Sequence, residues 1–242
     1  LQLCFAHCLG AETKTLRIAY PDFWPFFTRG DDGEMTGFFY EIVAIALEER
    51  MGMALEWDEF PWKRCQLNVK TGESDAMITV PTDERLEYSR THDQAFYDKT
   101  LNIFTHVDHP RKEEIMRLTG IDDILAKELI VITYAGNGWN DKHIKSKGIQ
   151  VFETHMRESV WMMLADMRGD MVIEWPGGAW PDIRKLGVAE HIYETGVVLD
   201  SMPFHLMIRK NHPDADLLDE FDKVIEEMKQ GGTMERILEK YG

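Results

Sequence analysis

The chain has 242 residues, a formal net charge of -16, and 44% hydrophobic against 29% charged residues. That balance suits a soluble globular protein of one large domain or two lobes. The acidity sets it against phosphate backbones and anionic lipid heads, so no nucleic-acid partner is expected, and no apolar run is long enough to span a bilayer.

Residues 1–11, "LQLCFAHCLGA", are apolar, end in small residues and give way abruptly to the polar 12–15, as the tail of a signal peptide does. Two of the three cysteines, Cys4 and Cys8, fall there. If the stretch is processed off, Cys65 remains alone, and as part of an amphipathic run it reads as a buried apolar residue rather than a reactive thiol. From residue 16 onward short apolar runs alternate with helical patterns. Strands are predicted at 16–20, 54–57, 76–79, 101–104, 129–133, 171–174 and 204–208. Helical spacing follows in Phe38, Ile42, Ile45 and Ala46, in Val160, Met163, Leu164 and Met167, and in Leu217, Phe221, Val224, Ile225 and Met228. Strand-helix alternation argues for an α/β fold with largely parallel sheets. Two polar, turn-rich stretches, 105–114 and 197–203, interrupt it. They divide the chain into a first lobe at 12–107, an inserted lobe at 108–198 and a return segment at 199–242, with two crossings that could act as a hinge.

Several constellations could carry chemistry. In "DAMITVPTDERLEY" a strand runs into a turn and a helix start, with Thr79 and Thr82 near the turn and Arg85 inside the helix. Hydroxyls, strand-end amides and a planar guanidinium make a carboxylate receptor; the alternative is a surface arginine paired with Asp83, Glu84 or Glu87. The loop "YPDFWPFF" packs Phe23, Trp24, Phe26 and Phe27 around prolines. Phe23 and Trp24 are the cleft candidates, and the others suit loop packing. "LIVITYAGNGWND" lacks the lysine of a P-loop and the third glycine of a dinucleotide fingerprint, but Gly136 and Gly138 let the backbone approach a ligand. His106 and His109 with Asp108 have a metal-like spacing, yet Pro110 argues against a helix there and two solvated imidazoles are the default. No metal and no cofactor is expected. The strand "GDMVIEWPGG" ends on Glu174, Trp175 and a Pro-Gly-Gly turn, at the sheet edge where α/β proteins bind ligands.

The order "LRIAYPDFWPFF", "GEMTGFFYEIVAIALEERMGM", Trp62, "GESDAMITVPTDER", "YDKTLNIFT", "GDMVIEWP" and "MIRKNHPDADLLDEFDKVIEEMKQGGTMERILEKYG" resembles family 3 of the bacterial extracellular solute-binding proteins, the amino-acid-type receptors of ABC importers. The resemblance covers everything after the leader. It implies a two-lobed periplasmic-binding-protein type II fold that closes on a small ligand like a flytrap, in a periplasmic monomer that is not an enzyme and that serves an ABC transporter permease. It implies further that Arg85 grips a ligand carboxylate with help from Thr79 and Thr82, that Phe23 stacks on the ligand with Trp62 as a second aromatic, and that Gly136, Gly138 and Trp139 close over the carboxylate end. Many members end the 171–174 strand on an aspartate that receives the ligand's ammonium group. Here Trp175 stands at that place with Glu174 one residue earlier, and one step along a strand turns a side chain to the other face. The departure points to an organic acid, or to a ligand with an altered cationic end. A dehydratase resembling cyclohexadienyl dehydratases is the runner-up, and a sensing module without transport is a third reading.

Overall fold

The computed structural model describes residues 15–30 and 32–241; the expected leader at 1–11, with Cys4 and Cys8, lies outside them. The described residues divide into two compact units, one drawn from those up to Tyr97 together with Pro203–Tyr241, the other from Asp98–Met202. In chain order the first contains β1 (Thr15–Tyr20), β2 (Thr28–Arg29), β3 (Met35–Thr36), α1 (Phe38–Ala44), which continues as a π-helical stretch over Ile45–Arg50, β4 (Ala54–Glu59), α2 (Trp62–Thr71), β5 (Ala76–Thr79), α3 (Asp83–Tyr88) and β6 (Ser89–Thr91). Strand β7 (Tyr97–His106) enters the second unit, which continues with α4 (Lys112–Ile115), α5 (Ile121–Ala126), β8 (Val131–Tyr134), α6 (Gly138–His143), β9 (Val151–Thr154), α7 (Ser159–Ala165), β10 (Met171–Glu174) and α8 (Pro176–Lys185). The long β11 (Ile192–Arg209) leads back, and α9 (Leu217–Gln230) and α10 (Thr233–Glu239) complete the first unit. Both passages lie inside strands, at 97/98 and 202/203, rather than at the turn-rich stretches that suggest 107/108 and 198/199.

The polar stretch 197–203 reads as a turn but is strand. Its polar side chains serve hydrogen bonds within the second unit: Asp200 Oδ2 accepts from the Trp139 indole at 2.6 Å, and Ser201 Oγ pairs with Asp98 Oδ1 at 3.2 Å. Strand β9 escapes the sequence pattern because it pairs with β8 alone among the strands and leaves Phe152 and Glu153 exposed.

In the first unit the sheet runs β4-β1-β5-β11, with β6 also on β11. The pairs β1–β4 and β1–β5 are parallel, and the return strand is antiparallel to β5. Helix α1 begins at Gly37, whose φ is 116; a Cβ there would lie 2.5 Å from the Phe26 carbonyl oxygen, so only glycine fits. The tight entry lets Phe38 and Phe39 drop onto Phe26, with ring centroids 4.9 and 4.8 Å away. Tyr97, Phe96 and Phe204 close this aromatic core around Phe39. Asp75, just ahead of β5, explains the Gly-x-x-Asp-Ala pattern. Its carboxylate accepts from Arg17 N, Nε and Nη2 and from Arg209 Nε at 3.0–3.2 Å. Burial pushes its pKa up, but the Arg17 and Arg209 bonds outweigh this and hold it below the usual carboxylate value.

His92 is buried against α9 and β11. Its Nδ1–H donates to Asp222 Oδ1 at 2.8 Å, and Nε2 accepts the Leu206 N–H at 3.1 Å, which fixes a neutral tautomer. Burial pushes its pKa from 6.5 down to about 4, against the raising effect of the Asp222 hydrogen bond, with His205 adding to the depression. Between these two values the unfolded chain binds a proton that folded His92 refuses. Its stabilising contribution is therefore full above pH 6.5, falls as pH drops through the window, and is gone below about pH 4. The loss amounts to about 3 kcal/mol. Urea midpoints measured from pH 7 to pH 4 should fall steeply, and His92→Gln should flatten that slope; an equally steep slope in the variant would refute the assignment.

The second unit's sheet runs β11-β7-β10-β8-β9, with β8–β9 and β8–β10 parallel and β10–β7 antiparallel. Its core gathers Phe104, Ile132, Trp161, Leu164, Val172 and Ile183 under α7 and α8. His106 and His109 are not solvated: both are buried. His109 Nε2–H donates to Asp170 Oδ1 at 3.0 Å, and His106 Nδ1 accepts the Asp108 N–H at 3.0 Å while its ring stacks on His191. These are structural caps at the end of β7, and among the described residues no three His, Cys, Asp or Glu side chains gather for a metal. Cys65 is buried, its thiol donates to the Phe60 carbonyl at 3.2 Å, and burial pushes its pKa up to about 11.

Candidate functional site

In the first unit the expected residues collect at the carboxyl end of β5. Thr79 closes the strand and is buried. Thr82 caps α3, its hydroxyl oxygen accepting the Arg85 N–H at 3.3 Å. That cap places Arg85 on the first turn of α3, half-buried and facing back toward the strand end. Its Nη1 donates to the Val80 carbonyl at 2.7 Å and its Nε to Gln66 Oε1 at 3.2 Å. The guanidinium carbon lies 5.2 Å from the centre of the Trp62 ring. Among the described residues Arg85 pairs with no carboxylate, so the surface ion pair with Asp83, Glu84 or Glu87 is not formed. Trp62 and Gln66 stand four residues apart on α2, hence on one face, and together orient the arginine. Gln66 belongs to no motif in the sequence, although its four-residue spacing from Trp62 is visible there.

The aromatic loop divides by burial. Phe26 and Phe27 lie in the core, whereas Phe23 is 45% and Trp24 60% exposed. Phe23 stacks on Phe26 at 4.7 Å, and Trp24 meets the edge of Tyr241 at 5.6 Å. Phe23 is thus an exposed ring braced by a buried neighbour.

In the second unit Gly136 takes a φ of 87, and a Cβ on Gly136 or Gly138 would meet no atom within 4 Å, so backbone there stands open. Asn137 caps α6 by accepting from Asn140 N at 3.1 Å. Trp139 donates its indole N–H to Asp200 Oδ2 at 2.6 Å and stacks on His143 at 5.0 Å.

Strand β10 resolves the question raised by Glu174 and Trp175. Glu174 is paired with Asn102 of β7, so both side chains share a face, and Trp175 follows just beyond the end of the strand. Glu174 is half-buried and its Oε1 accepts the Trp175 N–H at 3.0 Å. Trp175 is 8% exposed and folds back over the Pro-Gly-Gly turn: a Cβ on Gly177 would lie 2.4 Å from its ring, and one on Gly178 at 3.0 Å. The two glycines are there to admit the indole. Lys99 then lies over this ring, its ammonium 5.2 Å from the centre. Burial lowers the Lys99 pKa, with Glu174 raising it and Arg157 lowering it further, and burial raises that of Tyr134, again with Glu174 adding to the rise. Lys99, Tyr134 and Arg157 therefore join the expected Glu174 and Trp175. A lysine opening a strand and an arginine in a polar loop carry no periodicity, which is why they escape a sequence reading.

Two units of this topology, with polar and aromatic side chains at the carboxyl ends of their parallel strands, define a ligand-binding α/β protein. The chain belongs to the bacterial extracellular solute-binding proteins, family 3, whose model matches residues 16–242. It is similar to the probable amino-acid-binding protein YxeM of Bacillus subtilis (strain 168), 22% identical over 224 residues that cover 89% of this chain and 79% of that protein. Among solved structures it resembles the unliganded open L-cystine solute receptor of Neisseria gonorrhoeae, at 18% identity and TM-score 0.72, covering 95% of this chain and 93% of that one. It also resembles the probable amino-acid ABC transporter extracellular-binding protein ytmK of Bacillus subtilis, at 18% identity and TM-score 0.64, covering 95% and 98%. An ancestral cyclohexadienyl dehydratase shares the fold at 20% identity and TM-score 0.61, covering 94% and 92%. These likenesses establish the type II periplasmic binding-protein fold. Among the described residues no helix is long and apolar enough to cross a membrane.

Proposed function

We propose that this protein is a periplasmic receptor that captures a small, carboxylate-bearing, amino-acid-like solute and delivers it to an ABC importer. The observation that carries this reading is Arg85: a half-buried guanidinium at the carboxyl end of β5, oriented by Gln66, Val80 and Trp62 and paired with no acid among the described residues. A cation held so firmly without a counter-charge is suited to an anionic ligand group, which its planar fork can take through two hydrogen bonds. Thr79 and Thr82 would supply hydroxyls beside it, the exposed face of Phe23 would stack on the ligand, and the open backbone at Gly136 and Gly138 would admit close approach. Ligand would shift the protein toward a closed state by its higher affinity for that state.

Family membership and the amino-acid-binding relative support a receptor over an enzyme. The likeness to an ancestral dehydratase makes turnover of a cyclohexadienyl substrate, lost in Glu174→Gln, the result that would replace this reading. The direct test is native mass spectrometry of freshly purified protein. A released small acid or amino acid is the expected outcome, and a co-purified ligand without any carboxylate would contradict the proposal.

A further inference from the structure

The sequence has 14 methionines and three cysteines. Cys65, the one cysteine among the described residues, is buried with its thiol on the Phe60 carbonyl, and burial keeps it protonated. An oxidant attacks the thiolate, so Cys65 is a poor target and the thioethers come next. Among the described residues three methionines are exposed, and all three flank one helix of the second unit. Met156 is 63% exposed just before α7, Met162 46% on it and Met167 50% just after it. By contrast Met77, Met171, Met207 and Met228 are 0% exposed. The packing of α7 explains the three positions. Val160, Trp161 and Leu164 enter the core and Met163 packs against it, which turns Met162 outward. The helix closes with the Arg168 N–H on the Met163 carbonyl at 2.9 Å and the Met167 N–H on the Leu164 carbonyl at 3.0 Å. That pairing puts Met167 in the left-handed place usually filled by glycine, at φ 51. Ahead of the helix the Met156 carbonyl accepts the Ser159 N–H at 3.1 Å, so the main chain is held while the side chain faces solvent.

We propose that Met156, Met162 and Met167 form a reversible oxidation site around α7. A peroxide transfers one oxygen atom to the thioether sulfur: the O–O bond breaks, an S–O bond forms, sulfur gives up two electrons, and the peroxide is reduced to water or an alcohol. A methionine sulfoxide reductase supplied with a dithiol reverses the step; the sulfoxide oxygen leaves as water with the two thiol hydrogens, and the dithiol becomes a disulfide. Both directions require that a reagent reach the sulfur, and these three side chains meet that condition. A flexible apolar side chain becomes a polar one at positions outside the core, so the fold does not depend on which form is present. Phe152 is paired with Ile132, which places it on the same face of the sheet as α7, and it is 39% exposed. Oxidation therefore changes the polarity of an apolar margin of the second unit.

The test is timed exposure of the whole protein to hydrogen peroxide, followed by digestion and mass spectrometry of each methionine peptide. Met156, Met162 and Met167 should gain oxygen at least about tenfold faster than Met77, Met171, Met207 and Met228, and in urea the rates should converge to within about threefold. Treatment with the two epimer-specific sulfoxide reductases and a dithiol should then return most of the oxygen gained at the three sites. Protein oxidised at these sites alone should keep its thermal unfolding midpoint. A combined Met156→Leu, Met162→Leu and Met167→Leu variant should fold and lose the fast oxygen uptake. Equal rates in the folded protein overturn the proposal, as does faster oxidation of a buried methionine or of Cys65. Rates that stay unequal in urea would assign the selectivity to local sequence and also overturn it. Sulfoxides that resist both reductases would refute reversibility, and a fast uptake that persists in the triple variant would place the site elsewhere.

Discussion

Arg85→Ala should weaken binding of the co-purifying ligand by about two to three orders of magnitude, measured as Kd by calorimetry. The arginine is held by Gln66, by the Val80 carbonyl and by the Trp62 ring, so its position is set before ligand arrives and little ordering cost is left for binding. Truncating one partner of a buried, hydrogen-bonded charge pair costs about 2 to 5 kcal/mol, and about 1.4 kcal/mol corresponds to a factor of ten. Arg85→Lys keeps the charge but loses the planar fork and the stacking on Trp62, so it should recover only part of the loss. Unfolding stability should change by no more than about 1 kcal/mol in either variant, because the contacts removed are two hydrogen bonds to neutral acceptors and one ring contact at a partly exposed site, where water can replace them. A Kd unchanged in Arg85→Ala would rule out the carboxylate grip.

Asp75→Ala should damage the first unit markedly, lowering its unfolding free energy by about 3 kcal/mol in urea denaturation. The Asp75 side chain is 5% exposed, and its two oxygens satisfy Arg17 through main chain and side chain, and Arg209 besides. Removing one member of a buried ionic group leaves the others desolvated without compensation. Arg17 and Arg209 are each partly exposed and can regain water, which keeps the loss toward the lower end of the range for such deletions. Because the folded carboxyl pKa is depressed, this contribution is present above the unfolded value near 3.8 and disappears as pH falls through the folded pKa. It therefore lies on the acid side of the His92 window, and pH titrations of the two variants should separate them. A loss below about 0.5 kcal/mol would show that the arginines hold the strand without the acid.

The buried strands β5 and β10 were legible because their residues are apolar without alternation, the pattern of strands covered on both faces. The family was legible through the order of motifs, and one of them now has a physical reason, since Asp75 ties β1, β5 and β11 at one end of the sheet. What escaped had a common cause. Polarity at 197–203 and at His106 and His109 suggests exposure, whereas Asp200, His106 and His109 are tied into hydrogen bonds. In the candidate site, Arg85 and Phe23 could be picked out by type and place. The direction of Trp175 could not, because it depends on two glycines further along the chain that let the indole fold back. Lys99 and Arg157 meet only through tertiary structure.

The path of β11 bears on how the molecule is made. The second unit is a single continuous stretch and can assemble as soon as its last residues leave the ribosome. The first unit cannot: β5, already paired with β1, gains its second neighbour only when residues 205–208 arrive, and the Tyr241 hydroxyl, bound to Gly37 N at 3.0 Å and to Glu41, latches the start of α1 from 204 residues further along. As the chain is made, the first unit therefore completes its sheet only after every residue of the second unit has been synthesised.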